Sequence, residues 1–569
     1  MFLRKGISNG RAYLSIVHGY RDPVTKKVKH KTIKSLGYLD DLKKSYPDPV
    51  AHFKAVVAEM NKMQALENQP VEFSIDPNEV LVDSEVNRKN IGYAALSKLY
   101  HELGLHRFFS NHSRSFKSKF NTNNIMKLLI YSRVLFPASK KKTYEQKGRY
   151  FENSDFSLDD VYRCLSQVIT FKDKLQIHLH RQMKEKYGRS TELVYYDVTN
   201  YYFEIDEQDE LRKNGVSKEH RPDPIVQMGL LMDTKGIPIM YDLFPGNTND
   251  CLTLMPILDQ AKKDYEIGRT IVVADKGINT ADNIAISLAK GDGYIYSQTV
   301  RGANRELKSY VLDPSGYRQR RDGFKIKSRL YPREIAVSNA KGGRTRIRID
   351  EKQVVFYSPD YDRKAKADRE PALLKARDLV KNPARYNRAI AYGAAKYVKN
   401  LVFDPKTGEV MPTKQRPVLD EARLREEEKF DGYYAIVTSE WRKTDEEIID
   451  IYRGLWRIEE AFRVTKSDIE ARPVFLSRID RIKAHFLICY VALIIARLLA
   501  LNLENKYSIA RIAESLNKAS GSLLEDNWYV FNHTDEITEA IKKKMGVDLN
   551  RKYLKLGEIK KMMGATKKN

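Results

Sequence analysis

Two aspartates standing in apolar strands narrow the fold of this chain more than any other feature. Leu193–Glu204 (LVYYDVTNYYFE) is rich in Val and Tyr and reads as a strand with Asp197 in its middle. Thr270–Gly277 (TIVVADKG) reads as a buried strand ending on Asp275. A carboxylate inside or at the tip of an apolar strand has to be hydrogen-bonded, paired with a cation or bound to a metal. Taken alone, Asp275 serves equally well as a turn or cap residue. Around the two acids, Leu193–Val300 reads as strand, strand, strand, helix, strand, helix, strand. A meander followed by alternating helices and strands predicts an α/β sheet. The turn at Pro245–Asp250 feeds a helix, with Asp250 read as its cap.

A third acid lies on a later helix. Thr444 to about Lys466 (TDEEIIDIYRGLWRIEEAFRVTK) opens with Thr444 and Glu447 at capping-box spacing. Ile448, Ile451, Leu455, Ile458 and Phe462 recur at steps of three and four, one apolar stripe along a single predicted helix. Tyr452, Glu459 and Lys466 recur every seven residues, nearly two turns, and so line up in one column. On an average helix such a column is a solvated face with a charge ladder; the two strand aspartates shift the balance toward a site.

Asp197, Asp275 and Glu459, in that order and those contexts, resemble the DDE transposases, which have a ribonuclease-H-like catalytic core. The resemblance is to the insertion-sequence group with a Tyr-x2-Arg-x3-Glu-x6-Lys (YREK) signature. Tyr452, Glu459 and Lys466 match that signature; Leu455 stands where it has Arg, flanked by Arg453 and Arg457. The resemblance spans about Leu193 to Leu503. It implies a mixed sheet flanked by helices, with a β-rich insertion before the Glu-bearing helix. It also implies Mg²⁺-dependent cleavage at the terminal inverted repeats and joining of the freed 3′-hydroxyl to target DNA. Two Mg²⁺ ions roughly 3.5–4 Å apart relieve charge on the attacking and leaving oxygens, and Mn²⁺ can replace them. On this reading Asp197 bridges both ions, while Asp275 and Glu459 each hold one. Lys466 and Tyr452, with Arg457 as a further candidate, contact backbone phosphates. The implied partner is double-stranded DNA, bound by a homodimer assembled on it, with no membrane; the implied location is cytoplasmic, on the nucleoid. The alternatives are a catalytically silent DNA-binding relative of a transposase and another ribonuclease-H-like nuclease.

Composition agrees with a polyanionic partner. The 569 residues carry a formal charge of +25, with 100 Lys and Arg against 75 Asp and Glu. Cys164, Cys251 and Cys489 are far apart, which speaks against a disulfide framework or a zinc site. The apolar run Ala484–Ala496 is too short and interrupted to span a bilayer and reads as a buried helix. Six regions are predicted. Residues 1–75 form a β-hairpin region, with strands Arg11–Tyr20 and Lys27–Leu36 around Asp22-Pro23 and Lys27, Lys29 and Lys31 on one face. Residues 76–190 form a helical DNA-binding region. The ribonuclease-H-like core occupies 191–300 and 431–505, interrupted by a basic β-rich insertion over 301–430. A basic C-terminal region, 506–569, is expected to be partly mobile at its end. In the insertion, Arg344, Arg346 and Arg348 alternate with Thr345, Ile347 and Ile349, giving a strand one arginine face suited to a phosphate backbone.

Overall fold

The apolar runs after Leu193 become adjacent strands of one nine-stranded sheet. The structure is a computed structural model and describes all residues except 9, 22–27, 68–77, 79–86, 220, 340, 341 and 569. The chain divides into two units, Met1–Glu85 and Val86–Asn569.

In the larger unit the strands are β1 (Leu193–Tyr202), β2 (Ile225–Met232), β3 (Pro238–Pro245), β4 (Ile271–Ala274), β5 (Gly293–Gln298), β6 (Lys325–Ser338), β7 (Arg344–Tyr357) and β8 (Tyr433–Thr438). β1, β2 and β3 form an antiparallel meander, and β4 and then β5 pair parallel on the other side of β1. The resulting order, β3-β2-β1-β4-β5, is that of a ribonuclease-H-like core. β2 is buried along its whole length and β1 nearly so, as expected of strands covered on both faces.

The stretch expected as an insertion over 301–430 supplies β6 and β7, which continue the core sheet. β5 pairs with β8, β8 with β7, β7 with β6, and β6 with the two-residue strand Arg318–Gln319. The remainder holds a 23-residue helix, Pro359–Lys381, and two small two-stranded sheets.

Six helices matter for the site: α1 (Thr122–Leu135), α2 (Leu254–Tyr265), α3 (Ala281–Ala289), α4 (Asp445–Arg453), α5 (Trp456–Arg463) and α6 (Ile479–Asn502). α6 is long and apolar enough to cross a membrane, yet it is buried almost throughout and packs on α1. With α1 and the strands' inner face it forms the main hydrophobic core.

The single helix predicted from Thr444 to Lys466 is a correction. Its capping box forms as expected, with Thr444 and Glu447 exchanging bonds. The helix then breaks at Gly454–Leu455 and restarts as α5, which ends in a wide π-type turn, Val464–Asp468. The cause is a side chain inserted into the hydrogen-bond ladder. The Tyr195 hydroxyl donates to the Ile451 carbonyl at 3.1 Å, so Leu455 N–H turns instead to the Tyr452 carbonyl at 3.0 Å. Gly454 leaves room for the phenol: a Cβ there would be built into the Tyr195 hydroxyl. The apolar stripe survives the break, with Ile448, Leu455, Ile458 and Phe462 all buried.

The smaller unit has three antiparallel strands where two were predicted: Phe2–Ser8, Arg11–Arg21 and Val28–Tyr38, followed by helix Pro49–Glu67. Lys29 and Lys31 are exposed on the third; Lys27 and the Asp22-Pro23 turn lie outside the described residues, as does the boundary expected at 75. The C-terminal region, expected to be partly mobile at its end, is folded as far as Ala565, and Asn569 lies outside the described residues. Strands Ser520–Leu523, Trp528–Phe531 and Tyr553–Lys555 form a sheet with Arg88–Asn90, and helix Leu556–Ala565 closes the chain.

Gly454→Ala is expected to lower the unfolding free energy by roughly 1–3 kcal/mol, the usual cost of overpacking. Adding Tyr195→Phe removes the atom met first and recovers part of the loss. Urea unfolding of the single and double variants checks both.

Candidate active site

Strand register brings the two aspartates together. β1 and β4 run parallel with Tyr196 opposite Ala274, so the next residues, Asp197 and Asp275, are neighbours across strands about 4.8 Å apart. Asp275 stands just past the carboxyl end of β4, where open α/β sheets bind their ligands, and Asp197 stands midway along β1, just past the stretch paired with β4. β5 adds Ser297 in the same row: its hydroxyl donates to Asp275 Oδ1 at 2.6 Å. The Tyr452 hydroxyl lies 3.5 Å from the same oxygen. A cavity of about 230 Å³ opens beside Asp275, lined by Ser297, Arg301, Tyr361, Tyr433 and Tyr434.

The electrostatics are those of an acid pair with one ammonium nearby. Burial, reinforced by the negative charges of Asp275 and Asp250, pushes the Asp197 carboxyl up to about 6; the Lys218 ammonium and the Val198 N–H pull the other way. The helix cap expected at Asp250 is supplied by Asn249, whose side chain accepts from Cys251 N–H. Asp250 instead stands 4.0 Å from Lys218 and adds to the field at Asp197. Lys218 donates to the Val198 carbonyl.

Glu459 is exposed on α5. Among the described residues it makes no hydrogen bond or ion pair, whereas its neighbour Glu460 is held by Arg497 at 2.7 Å. Its charge, with that of Asp275, raises the Tyr434 and Tyr452 phenols, after burial itself. The three acids therefore share one electrostatic neighbourhood. They are not drawn into a cage: among the described residues no three such groups stand close enough to hold a metal ready-made.

The break in the helix separates the members of the predicted column. Tyr452 turns to Asp275, while the Lys466 ammonium sits 3.1 Å from Glu219. Arg472 pairs with the other oxygen of Glu219. Burial and the nearby Lys218 lower Lys466 to about 8, with Asp197 opposing. Arg457 lies over the Trp456 ring and against Gly236, and Arg453 over Phe324 and beside Asp450. Leu455, in the place of the signature Arg, is buried in the main core. Neither flanking arginine bonds to any of the three acids. On β7, Arg344, Arg346 and Arg348 are exposed, with Arg346 3.7 Å from Glu334. On the opposite side of the hairpin, Ile335 and Ile349 are buried in a cluster that takes in α3.

Sequence reading missed Ser297, Glu219, Lys218 and Arg472. Ser297 was findable: it is the first polar residue after the Tyr-Ile-Tyr run of β5, much as Asp275 follows the apolar run of β4. Lys218 and Glu219 lie between β1 and β2, in a stretch without periodicity.

Residues 217–495 match the family described as transposase DDE domain, and residues 3–70 match the IS1634 family transposase N-terminal domain. The chain belongs to the DDE transposases of insertion sequences. The DDE match includes Asp275 and Glu459 and begins after β1, the strand that carries Asp197. Transposases with this domain use divalent metal ions generally. Among solved structures, a piggyBac transposase synaptic complex with hairpin DNA is similar at a TM-score of 0.37 and 10% identity, covering 84% of this chain and 85% of that one. No curated protein sequence matches this transposase.

The raised Asp197 carboxyl has a consequence for stability. A folded-state value near 6 against 3.8 for the free group means that the native state binds this proton more tightly. Stability is therefore lost as pH rises from about 4 to 6, by roughly 2–3 kcal/mol at most. Asp197→Asn removes that loss. Without divalent metal, the variant is expected to be the more stable protein at pH 7.5, with the difference vanishing near pH 4. Denaturant titrations at both pH values measure it.

Proposed function

We propose that this transposase binds the terminal inverted repeats of its insertion sequence, hydrolyses the phosphodiester bond at each end and joins the 3′-hydroxyl to target DNA. The observation that carries this reading is the Asp197–Asp275 pair, side by side, with Glu459 unengaged among the described residues and acting on the same Tyr434 and Tyr452 phenols as Asp275. The donor set fits a hard divalent cation: carboxylate oxygens, that of Asp197 half-buried beside other acids, with no sulfur or imidazole in the group. Asp197, Asp275 and Glu459 would hold Mg²⁺, with Mn²⁺ as a substitute. When bound, the two ions supply charge relief at the attacking and leaving oxygens.

The chain's own residues do the rest. Ser297 fixes the Asp275 carboxylate, and Tyr452 closes over it. Lys466 and Arg472 already converge on one carboxylate, that of Glu219, which is the arrangement needed to grip a phosphate. A DNA phosphate would displace Glu219 there. The Arg344, Arg346 and Arg348 face would track the duplex backbone outside the site. Arg457, turned toward Gly236, would act at the margin. Two copies of the chain would pair the two ends, in the cytoplasm, where the element's DNA lies.

The test is nicking and strand transfer on the element's own terminal repeats with Mg²⁺, comparing wild type with Glu459→Gln. Wild type is expected to cut and join, and the variant to bind with unchanged affinity while cutting at least ~100-fold more slowly. If both bind and neither cuts with Mg²⁺ or Mn²⁺, the DNA-binding relative is the better account. Cutting without joining by wild type favours a nuclease.

A further inference from the structure

A cavity of about 390 Å³ opens where α1 ends, facing the stretch that follows the Glu459 helix. Its basic residues are Arg133, Lys140, Lys141 and Arg472, and its outer wall includes Tyr162 and Phe475. Arg133 and Lys140 are each only 5% exposed. Among the described residues, no carboxylate lies within ion-pair distance of Arg133, Lys140 or Lys141. The lining does hold Glu470, whose backbone carbonyl accepts from Arg133 at 3.2 Å.

What these cations do have is neutral. Arg133 donates to the carbonyls of Ala138 at 2.8 Å, Glu470 and Ile469, and its Nε has no partner among the described residues. Lys140 Nζ lies 3.0 Å from His485 Nδ1, and His485 Nε2 lies 2.9 Å from the Ala471 carbonyl. A carbonyl only accepts, so Nε2 carries the hydrogen and Nδ1 accepts from the lysine. His485 is thus a neutral acceptor and cancels no charge. Burial and the neighbouring Arg133 push the Lys140 ammonium well down, the mark of a cation lacking an anion. Burying charge without a counter-charge is expensive, and an entering anion removes that expense.

The place of the cavity indicates which anion. Arg472 lines it and also pairs with Glu219, the carboxylate that holds Lys466, and Asp197 acts electrostatically on Lys466. Arg472 thus links the cavity's lining to the Glu219–Lys466 pair, on which Asp197 acts. Phe475, 71% exposed, gives the rim an apolar surface for a sugar or base.

We propose that this cavity is a phosphate-binding subsite for the DNA strand leaving the catalytic acids, with Arg133, Lys140 and Lys141 supplying the charge. This rests on the transposition reading above. It adds a group of phosphate-binding residues from the helical region, remote in sequence from the YREK signature.

The test measures affinity for the terminal-repeat duplex from 50 to 300 mM salt. Three proteins are compared with wild type: Lys141→Ala, Lys140→Met and the double variant. Removing one cation from a DNA phosphate lowers the slope of log affinity against log salt by about 0.9. The expected result is a slope reduced by about one to two in the double variant, with affinity down about tenfold at 150 mM salt. Melting temperature reports folding; if Lys140→Met does not fold, exposed Lys141→Ala decides alone, with an expected loss of about one in slope. Folded variants with wild-type affinity and slope overturn the subsite, while wild-type cutting and joining leaves the transposase reading standing. A wild type that binds no DNA overturns both.

Discussion

The site depends on one register, the parallel pairing of β1 with β4. Because Tyr196 faces Ala274, the acids that follow them arrive as neighbours. A slip of one residue would send one carboxylate to the other face of the sheet. The register is fixed by burial on both sides: Val194 and Tyr196 point into one core cluster, Tyr195 into the other. Putting two acids there costs stability, visible in the raised Asp197 carboxyl. The proposed metal-binding role would account for the fold keeping that cost. β5 extends the arrangement by one strand and places the Ser297 hydroxyl on Asp275.

The same strand shapes the element carrying the third acid. Tyr195, two residues before Asp197, reaches into the Glu459 segment and breaks it at Gly454. Position of the acids and direction of the helix thus share one cause. The break lets Tyr452 turn toward Asp275 while α5 presents Glu459 to solvent, with no hydrogen bond or ion pair among the described residues. It also gives Leu455 its place: a residue at the break faces the core, so an arginine there would bury its charge.

Much of this was legible in the chain because local patterns carried it. Apolar runs bounded by turns predicted β1 to β5 within a few residues, and capping residues predicted the start of α4. The acids stood out because Asp197 and Asp275 interrupt those runs. What was not legible depends on partners distant in sequence. The helix break requires Tyr195, 256 residues upstream of Ile451. Glu219 reaches Lys466 across 247 residues, from a loop without a pattern. The hairpin of β6 and β7 was expected as part of an insertion because the resemblance implies one there; its face opposite the arginines, packed beside α3, ties it to the core sheet. The C-terminal region read as a tail because it is lysine-rich, yet Ile537, Ile541, Ile559 and Met563 are buried.

If the transposition reading holds, Asp197, Asp275 and Glu459 form one divalent-metal site when DNA is present. Anomalous diffraction from crystals of the protein grown with its terminal-repeat DNA and Mn²⁺ tests this most directly. Manganese peaks are expected between Asp197 and Asp275, with the Glu459 carboxylate turned in as a ligand. Manganese absent from the aspartate pair, or bound there with Glu459 still facing solvent, would contradict it.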